Sequence, residues 1–134
     1  ADIMVPMSEL ITISSSVTTD ELVTLVGKTG FSRYFVIDED GYPQDYLHIK
    51  DVLYADSRLE YGAPIPAKRF RPLFTVTASD EVEEALSQMQ KAGIHVARVL
   101  APEGGVLGLL FLEDVLEELV GEVQDAMQRG RYEY

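Results

Sequence analysis

The 134-residue chain has no cysteine and only two histidines, His48 and His95. Without cysteine there are no disulfides, no thiol nucleophile and no Cys-ligated zinc, which fits a reducing compartment. Two isolated histidines make no His-rich metal cluster. Basic residues are scarce: 11 Lys and Arg stand against 23 Asp and Glu, for a net charge of −12 and a pI near 4.4. That balance opposes non-specific attraction to nucleic acid or anionic lipid. Long apolar runs are missing too. The longest, Val106 to Leu112, is interrupted by Gly108 and falls well short of the roughly 20 residues of a membrane-spanning helix. Catalytic signatures are lacking as well, with no Ser-His-Asp set, no HExxH and no P-loop.

What is present is ordinary globular composition, 46% hydrophobic and 25% charged. A chain of this length buries about two-thirds of its unfolded surface, as one compact domain or as two small repeats. It opens Ala1-Asp2-Ile3-Met4 with neither an initiator methionine nor a signal peptide. It therefore reads as a segment of a longer protein.

An internal repeat organises it. Lys28-Thr29-Gly30-Phe31 returns as Lys91-Ala92-Gly93-Ile94, 63 positions later. At the same offset Val36-Ile37 falls on Val99-Leu100, and Asp51-Val52-Leu53 on Asp114-Val115-Leu116. Asp20-Glu21-Leu22 matches Asp80-Glu81-Val82 at an offset of 60, which predicts a first helix three residues longer in the second copy. Residues 1–58 form the first repeat and 73–121 the second. Residues 59–72, with Gly62, Pro64, Pro66 and Pro72, read as an irregular connector, and 122–134 as a tail leading to a further domain.

Each repeat reads strand, helix, strand, strand, helix, so the fold class is α/β (α+β) with tandem copies packed pseudo-symmetrically. Leu10–Ile13 is a short strand. Thr18 and Glu21 form a capping box before Leu22, Leu25 and Val26 at helical spacing, and Gly30 ends that helix. Arg33–Ile37 is a strand closed by the turn Asp40-Gly41-Tyr42-Pro43. Tyr46–His48 is another, running into a helix with Ile49, Val52 and Leu53 inward. In the second copy Phe74–Val76, His95–Leu100 and Val106–Leu110 are strands. Ser79 or Asp80 caps a helix carrying Val82, Ala85, Leu86 and Met89. Leu112, Val115, Leu116, Leu119 and Val120 stripe the last helix, and the tail from Glu122 loses the stripe.

Chemistry is best placed at the junction from strand to final helix in each copy. Gly108 stands at a strand end with Asp114 in the first helical turn, and Asp45-Tyr46-Leu47-His48-Ile49-Lys50-Asp51 occupies the same register upstream. A helix N-terminus attracts phosphate, and a carboxylate beside it can accept both hydroxyls of a ribose. The plainer reading makes Asp51 and Asp114 first-turn carboxylates complementing the helix dipole, His48 and His95 polar strand-end residues, and Arg33 a member of a surface ion pair. Lys68-Arg69-Phe70-Arg71 is a small basic patch suited to pairing within the chain or across a dimer.

The twofold pattern around Asp51 and Asp114 resembles a cystathionine-β-synthase (CBS) motif pair, the Bateman module. It is similar in particular to the CBS pair of CorC/HlyC-type, hemolysin-like magnesium and cobalt efflux proteins, relatives of the cyclin M transporters. Five segments carry the likeness: Asp2-Ile3-Met4-Val5-Pro6, Gly30-Phe31-Ser32-Arg33, Leu47 to Leu53, Gly93 to Ala97, and Leu112 to Glu122. The resemblance implies a non-catalytic regulatory module sensing an adenine nucleotide, ATP or AMP, with or without Mg²⁺. It also implies a homodimer through the CBS modules, and a place on the cytoplasmic side of a bacterial plasma membrane beside a membrane-embedded transport domain of the same chain.

The implied nucleotide-binding residues are Ser32, Arg33, Tyr34, Tyr46, His48, Ile49, Asp51 and Asp114, with no catalytic residue and no protein-held metal. The family pattern has Gly, then Ser or Thr three residues before the Asp. Here those positions are Asp45 and His48 in the first copy, Gly108 and Phe111 in the second, so Phe111 weakens the second half-site. Glu113 repels an anion there unless Mg²⁺ intervenes. A charged His48 would tighten phosphate binding as pH falls from about 8 to 6. Two other readings share the fold: a ligand-free dimerising scaffold, and the regulatory pair of a soluble enzyme. Val115, Leu119 and Val120 are the expected dimer contacts.

Overall fold

A computed structural model describes residues 4–53 and 62–132. In chain order the elements begin with β1 (Val5–Pro6), β2 (Thr12–Ile13), α1 (Thr19–Thr29), β3 (Arg33–Ile37), β4 (Pro43–His48) and α2 (Ile49–Leu53). They continue with β5 (Arg71–Pro72), β6 (Phe74–Thr77), α3 (Val82–Ala92), β7 (Val96–Leu100), β8 (Val106–Phe111) and α4 (Leu112–Tyr132). The chain divides into two compact units, Ser8–Leu73 and Ala1–Met7 with Phe74–Tyr134. Each is a four-stranded mixed sheet with its helices, the tandem α/β architecture the repeat predicts. Residues 1–3, 54–61 and 133–134 lie outside the described residues, and so do the side chains of Leu53, Val82, Glu122 and residues 128–132.

In the first unit the strand order is β2-β3-β4-β5, with β2 parallel to β3 and the other pairs antiparallel. Alternation sends Tyr34, Val36 and Leu47 to one face, where they meet Ile13, Val17, Leu22, Val52 and Ile65. Burying each large apolar side chain there contributes about 1.5–3 kcal/mol. The capping box on α1 is formed: Glu21 N–H donates to Thr18 Oγ1 at 3.1 Å, and Thr18 N–H to Glu21 Oε1 at 3.1 Å. Gly30 closes the helix with φ of 69°, a conformation that costs a residue with a Cβ. β4 begins earlier than the sequence indicates. The Asp38 carboxylate accepts the N–H groups of Asp40 and Tyr42, which tightens the turn and lets pairing restart at Pro43.

The second unit has the order β1-β8-β7-β6. Its core is Val76, Ala85, Leu86, Met89, Ala97, Val99, Leu112 and Val115. Neither Ser79 nor Asp80 caps α3. The N-cap is Glu81, with no side-chain cap, because Asp80 Oδ2 instead accepts Thr77 N–H at 2.9 Å to close the preceding turn. With α3 starting at Val82, both first helices have 11 residues and the 63-residue offset holds through them. The three extra residues are absent.

Two elements were not apparent from the sequence. β1 pairs with β8, and β5, within the expected irregular connector, pairs with β4. They are equivalent: Val5-Pro6 sits opposite Leu109-Gly108 as Arg71-Pro72 sits opposite Tyr46-Asp45. Each leader strand thus completes the sheet built by the other repeat. α4 continues as one helix to Tyr132, through most of the segment read from the sequence as a tail. Its apolar residues split between two faces. Val115 is buried and Leu119 packs on the core, while Leu116, Val120, Val123 and Met127 are exposed. Val115 is therefore no candidate for a contact between copies. Among the described residues no helix is long and apolar enough to cross a membrane.

Candidate functional site

The face of the first unit's sheet opposite its core carries the candidate site. Register places Arg33 opposite His48, Phe35 opposite Tyr46, and Tyr46 opposite Arg71. The Phe35 and Tyr46 rings lie 5.8 Å apart, tilted by 35°, and both are buried. A floor of two aromatic rings is thereby flanked by Arg33 and His48 on one side and Arg71 on the other.

Asp51, three residues beyond the end of β4, is held by Arg71. Arg71 Nε lies 2.5 Å from one carboxylate oxygen and an Nη 2.8 Å from the other, a bidentate fork. The hydrogen bond to Asp51, with a smaller contribution from Tyr46, raises the Arg71 guanidinium above its ordinary range. The Arg71 hydrogen bond holds the Asp51 carboxyl below the usual carboxylate range. Arg69 donates to the Asp51 carbonyl at 3.4 Å. Arg69 and Arg71 of the basic patch are thus paired within the chain. With side chains 40% and 25% exposed, the Arg71–Asp51 pair stays within reach of solvent screening. It is worth no more than about 1 kcal/mol.

His48 is half-buried, and its Nδ1 accepts the Lys50 N–H at 3.1 Å. The proton of the neutral ring is therefore on Nε2, leaving a donor. Desolvation, followed by the charges of Arg33, Arg71 and Lys50, pushes the imidazole below its ordinary value. The expectation that it charges between pH 8 and 6 moves accordingly to lower pH. In this site His48 is a neutral donor.

The remaining expected residues separate by role. Tyr34 is fully buried on the opposite face, its hydroxyl 2.9 Å from Thr29 Oγ1, so it belongs to the core. Ile49 packs against that same core. Ser32 is exposed and contributes its carbonyl, which accepts the Ile49 N–H at 3.0 Å. The second copy repeats that bond from Leu112 N–H to the His95 carbonyl at 2.8 Å. An open groove of about 520 Å³ in the first unit runs along α1, lined in part by Thr12, Ser14, Thr24 and Lys28. None of the expected site residues lines it.

In the second unit the equivalent face is apolar except for Arg98. Val96 and Phe111 replace Arg33 and His48, Leu109 replaces Tyr46, and Val5 replaces Arg71. Arg98 stands where Phe35 does and donates through Nε to Thr75 Oγ1 at 2.9 Å. Asp114 is exposed, and no ion pair to it forms among the described residues. His95 Nδ1 lies 3.5 Å from Glu113, both side chains half exposed. Gly108 has a packing cause: a Cβ there would collide with the Val5 carbonyl and approach Met4 Cγ at 2.9 Å.

A family model for the CBS domain matches residues 1–58 and 68–121. The chain is a pair of CBS domains. It is 36% identical over 129 residues to the magnesium and cobalt efflux protein CorC of Vibrio cholerae, covering 92% of this chain and 43% of that protein. The chain therefore spans less than half the length of such relatives. Among solved structures, the CBS domain of the bacterial CNNM/CorC family Mg²⁺ transporter superposes with a TM-score of 0.77 at 29% identity. That match covers 90% of this chain and 73% of that one. The same domain in complex with ATP gives a TM-score of 0.76 at 29% identity, over 90% of this chain and 85% of that one.

The residue that sequence reasoning passed over is Arg71. Its signal was available: Met4-Val5-Pro6-Met7 and Phe70-Arg71-Pro72-Leu73 align at an offset of 66. That alignment extends the repeat through the connector and places Arg71 on a strand.

Proposed function

We propose that this CBS pair is a non-catalytic regulatory module that senses an adenine nucleotide, ATP in first place, for a CorC-type magnesium or cobalt transporter. The observation that carries the reading is the row Arg33, His48 and Arg71 beside Asp51 on one sheet face of the first unit. Three nitrogen donors suit a polyphosphate, a carboxylate suits a ribose, and the buried Phe35–Tyr46 pair excludes water beneath them. The ATP complex of the related CBS domain supports the same choice of ligand. Mg²⁺ would come with the polyphosphate. The module acts on a membrane-embedded transport domain of the same longer chain, from the cytoplasmic side.

Calorimetric titration with ATP, ADP and AMP, with and without MgCl₂, tests the reading. Binding of one ATP per chain is the expected result. No heat with any of the three would favour the ligand-free scaffold.

The module dimerises through α4. Leu116, Val120, Val123 and Met127 recur at 4, 3 and 4 residues, a single stripe, and the last two are 58% and 62% exposed. A second copy offering the same stripe covers it isologously. Light scattering at tens of micromolar should give twice the 14.9 kDa chain mass. Leu116→Asp with Val120→Asp should return the monomer; a wild-type monomer would rule the dimer out.

A further inference from the structure

Resting on the nucleotide reading above, we infer that Arg71 makes the site select phosphorylated ribonucleosides over the bare nucleoside. The Asp51 carboxylate offers a ribose its two acceptor oxygens, and Arg71 already takes both, at 2.5 and 2.8 Å. A ribose diol reaching Asp51 displaces that guanidinium. Arg71 then has lost its partner, and an anion is the group that best replaces it.

The surroundings determine what can satisfy it. Arg71 lies on the same sheet face as Arg33 and His48, and its charge reaches His48 strongly enough to depress the imidazole. Arg69 and Lys50 add to the positive field around Asp51 and His48. A displaced Arg71 enters a cationic neighbourhood that only an anion makes favourable. A phosphate of the incoming ligand is that anion, and the guanidinium fork fits it as it fits a carboxylate. Ligand and protein exchange partners: ribose hydroxyls donate to Asp51, and Arg71 turns to phosphate. A nucleoside breaks the ion pair and returns nothing; a nucleotide replaces it.

The position of Arg71 makes it selective rather than merely attractive. It is held opposite Tyr46 by the pairing of β5 with β4, so a single residue serves both as lock on Asp51 and as phosphate ligand. In the second unit the equivalent residue is Val5, and Asp114 carries no such lock.

The test compares adenosine and ATP on the wild type and on Arg71→Met, with Arg71→Lys as a charge-preserving control. Calorimetry gives the affinities, and thermal unfolding verifies that each variant is folded. Arg71→Met should bind adenosine about fivefold more tightly, because no ion pair has to break. It should bind ATP about two- to twentyfold more weakly, because a charged hydrogen bond to phosphate is lost. Opposite changes for two ligands sharing one ribose and one base are not produced by a structural defect. Arg71→Lys should retain most ATP affinity while relaxing the exclusion of adenosine. If both ligands change in the same direction, or their affinity ratio is unaltered, the selective role is overturned while the nucleotide reading stands. If no protein binds ATP or adenosine, both fall.

Discussion

The two CBS units share one backbone plan, yet the sheet face away from each core differs in kind. Arg33, Tyr46, His48 and Arg71 in the first unit correspond to Val96, Leu109, Phe111 and Val5 in the second. Pairing, the helix-capping carbonyls of Ser32 and His95, and the acidic residue at Asp51 or Asp114 are kept in both. Duplication therefore keeps what the fold needs, while the side chains of that face are free to differ. The exchanged leader strands sharpen the lesson. β5 brings an arginine to the first unit's sheet and β1 brings a valine to the second, so each half-site depends on a strand from the other repeat.

The comparison can be broken first at the two leader-strand edges. Gly108→Ala should destabilise the second unit by roughly 1–3 kcal/mol, since the added Cβ meets the Val5 backbone and the neighbouring strand must move. Asp45→Ala, the equivalent position in the first unit, should stay within about 0.5 kcal/mol. Chemical denaturation of both variants is the check. The two first helices offer a smaller contrast. Thr18→Ala removes a formed capping box and should cost about 1 kcal/mol, whereas Glu81→Thr gives α3 a cap it lacks and should gain about half that.

Acid provides the smallest effect. The Asp51 carboxyl is depressed in the folded state by Arg71. Its stabilisation is fully present above the unfolded carboxylate value and is lost as pH falls through the depressed one. Arg71→Met removes that contribution. Between about pH 5 and 3 the variant should therefore lose less stability than the wild type, by no more than about 1 kcal/mol. Equal acid sensitivity would mean that the pair adds nothing in solution.

Much of the fold was legible because periodicity and punctuation agree. Gly30 and Gly93 end both first helices, and the 63-residue offset carries strands and carboxylates into register. What stayed hidden came from pairing at long range. Val5-Pro6 and Arg71-Pro72 are two-residue strands containing proline, too short for any alternation to show. The start of α3 is hidden because Asp80 has a cap's chemistry but uses its carboxylate to close the preceding turn. Of the proposed site, Arg33, His48 and Asp51 are named by the repeat and its resemblance, and the register brings Arg33 and His48 opposite one another. The core position of Tyr34 follows from strand alternation read together with its β4 partner, Leu47. The Arg71–Asp51 pair joins residues 20 apart in sequence, and composition alone makes such a patch look like solvated surface.

The proposed nucleotide site lies in the first unit and not in the second, and stoichiometry separates the two. ATP should titrate at one per chain on the wild type. Asp51→Asn should lower its affinity about tenfold through the lost ribose contacts, and Asp114→Asn should change it by less than about twofold. Two equivalent ATP sites per chain, or equal losses from the two substitutions, would contradict the account.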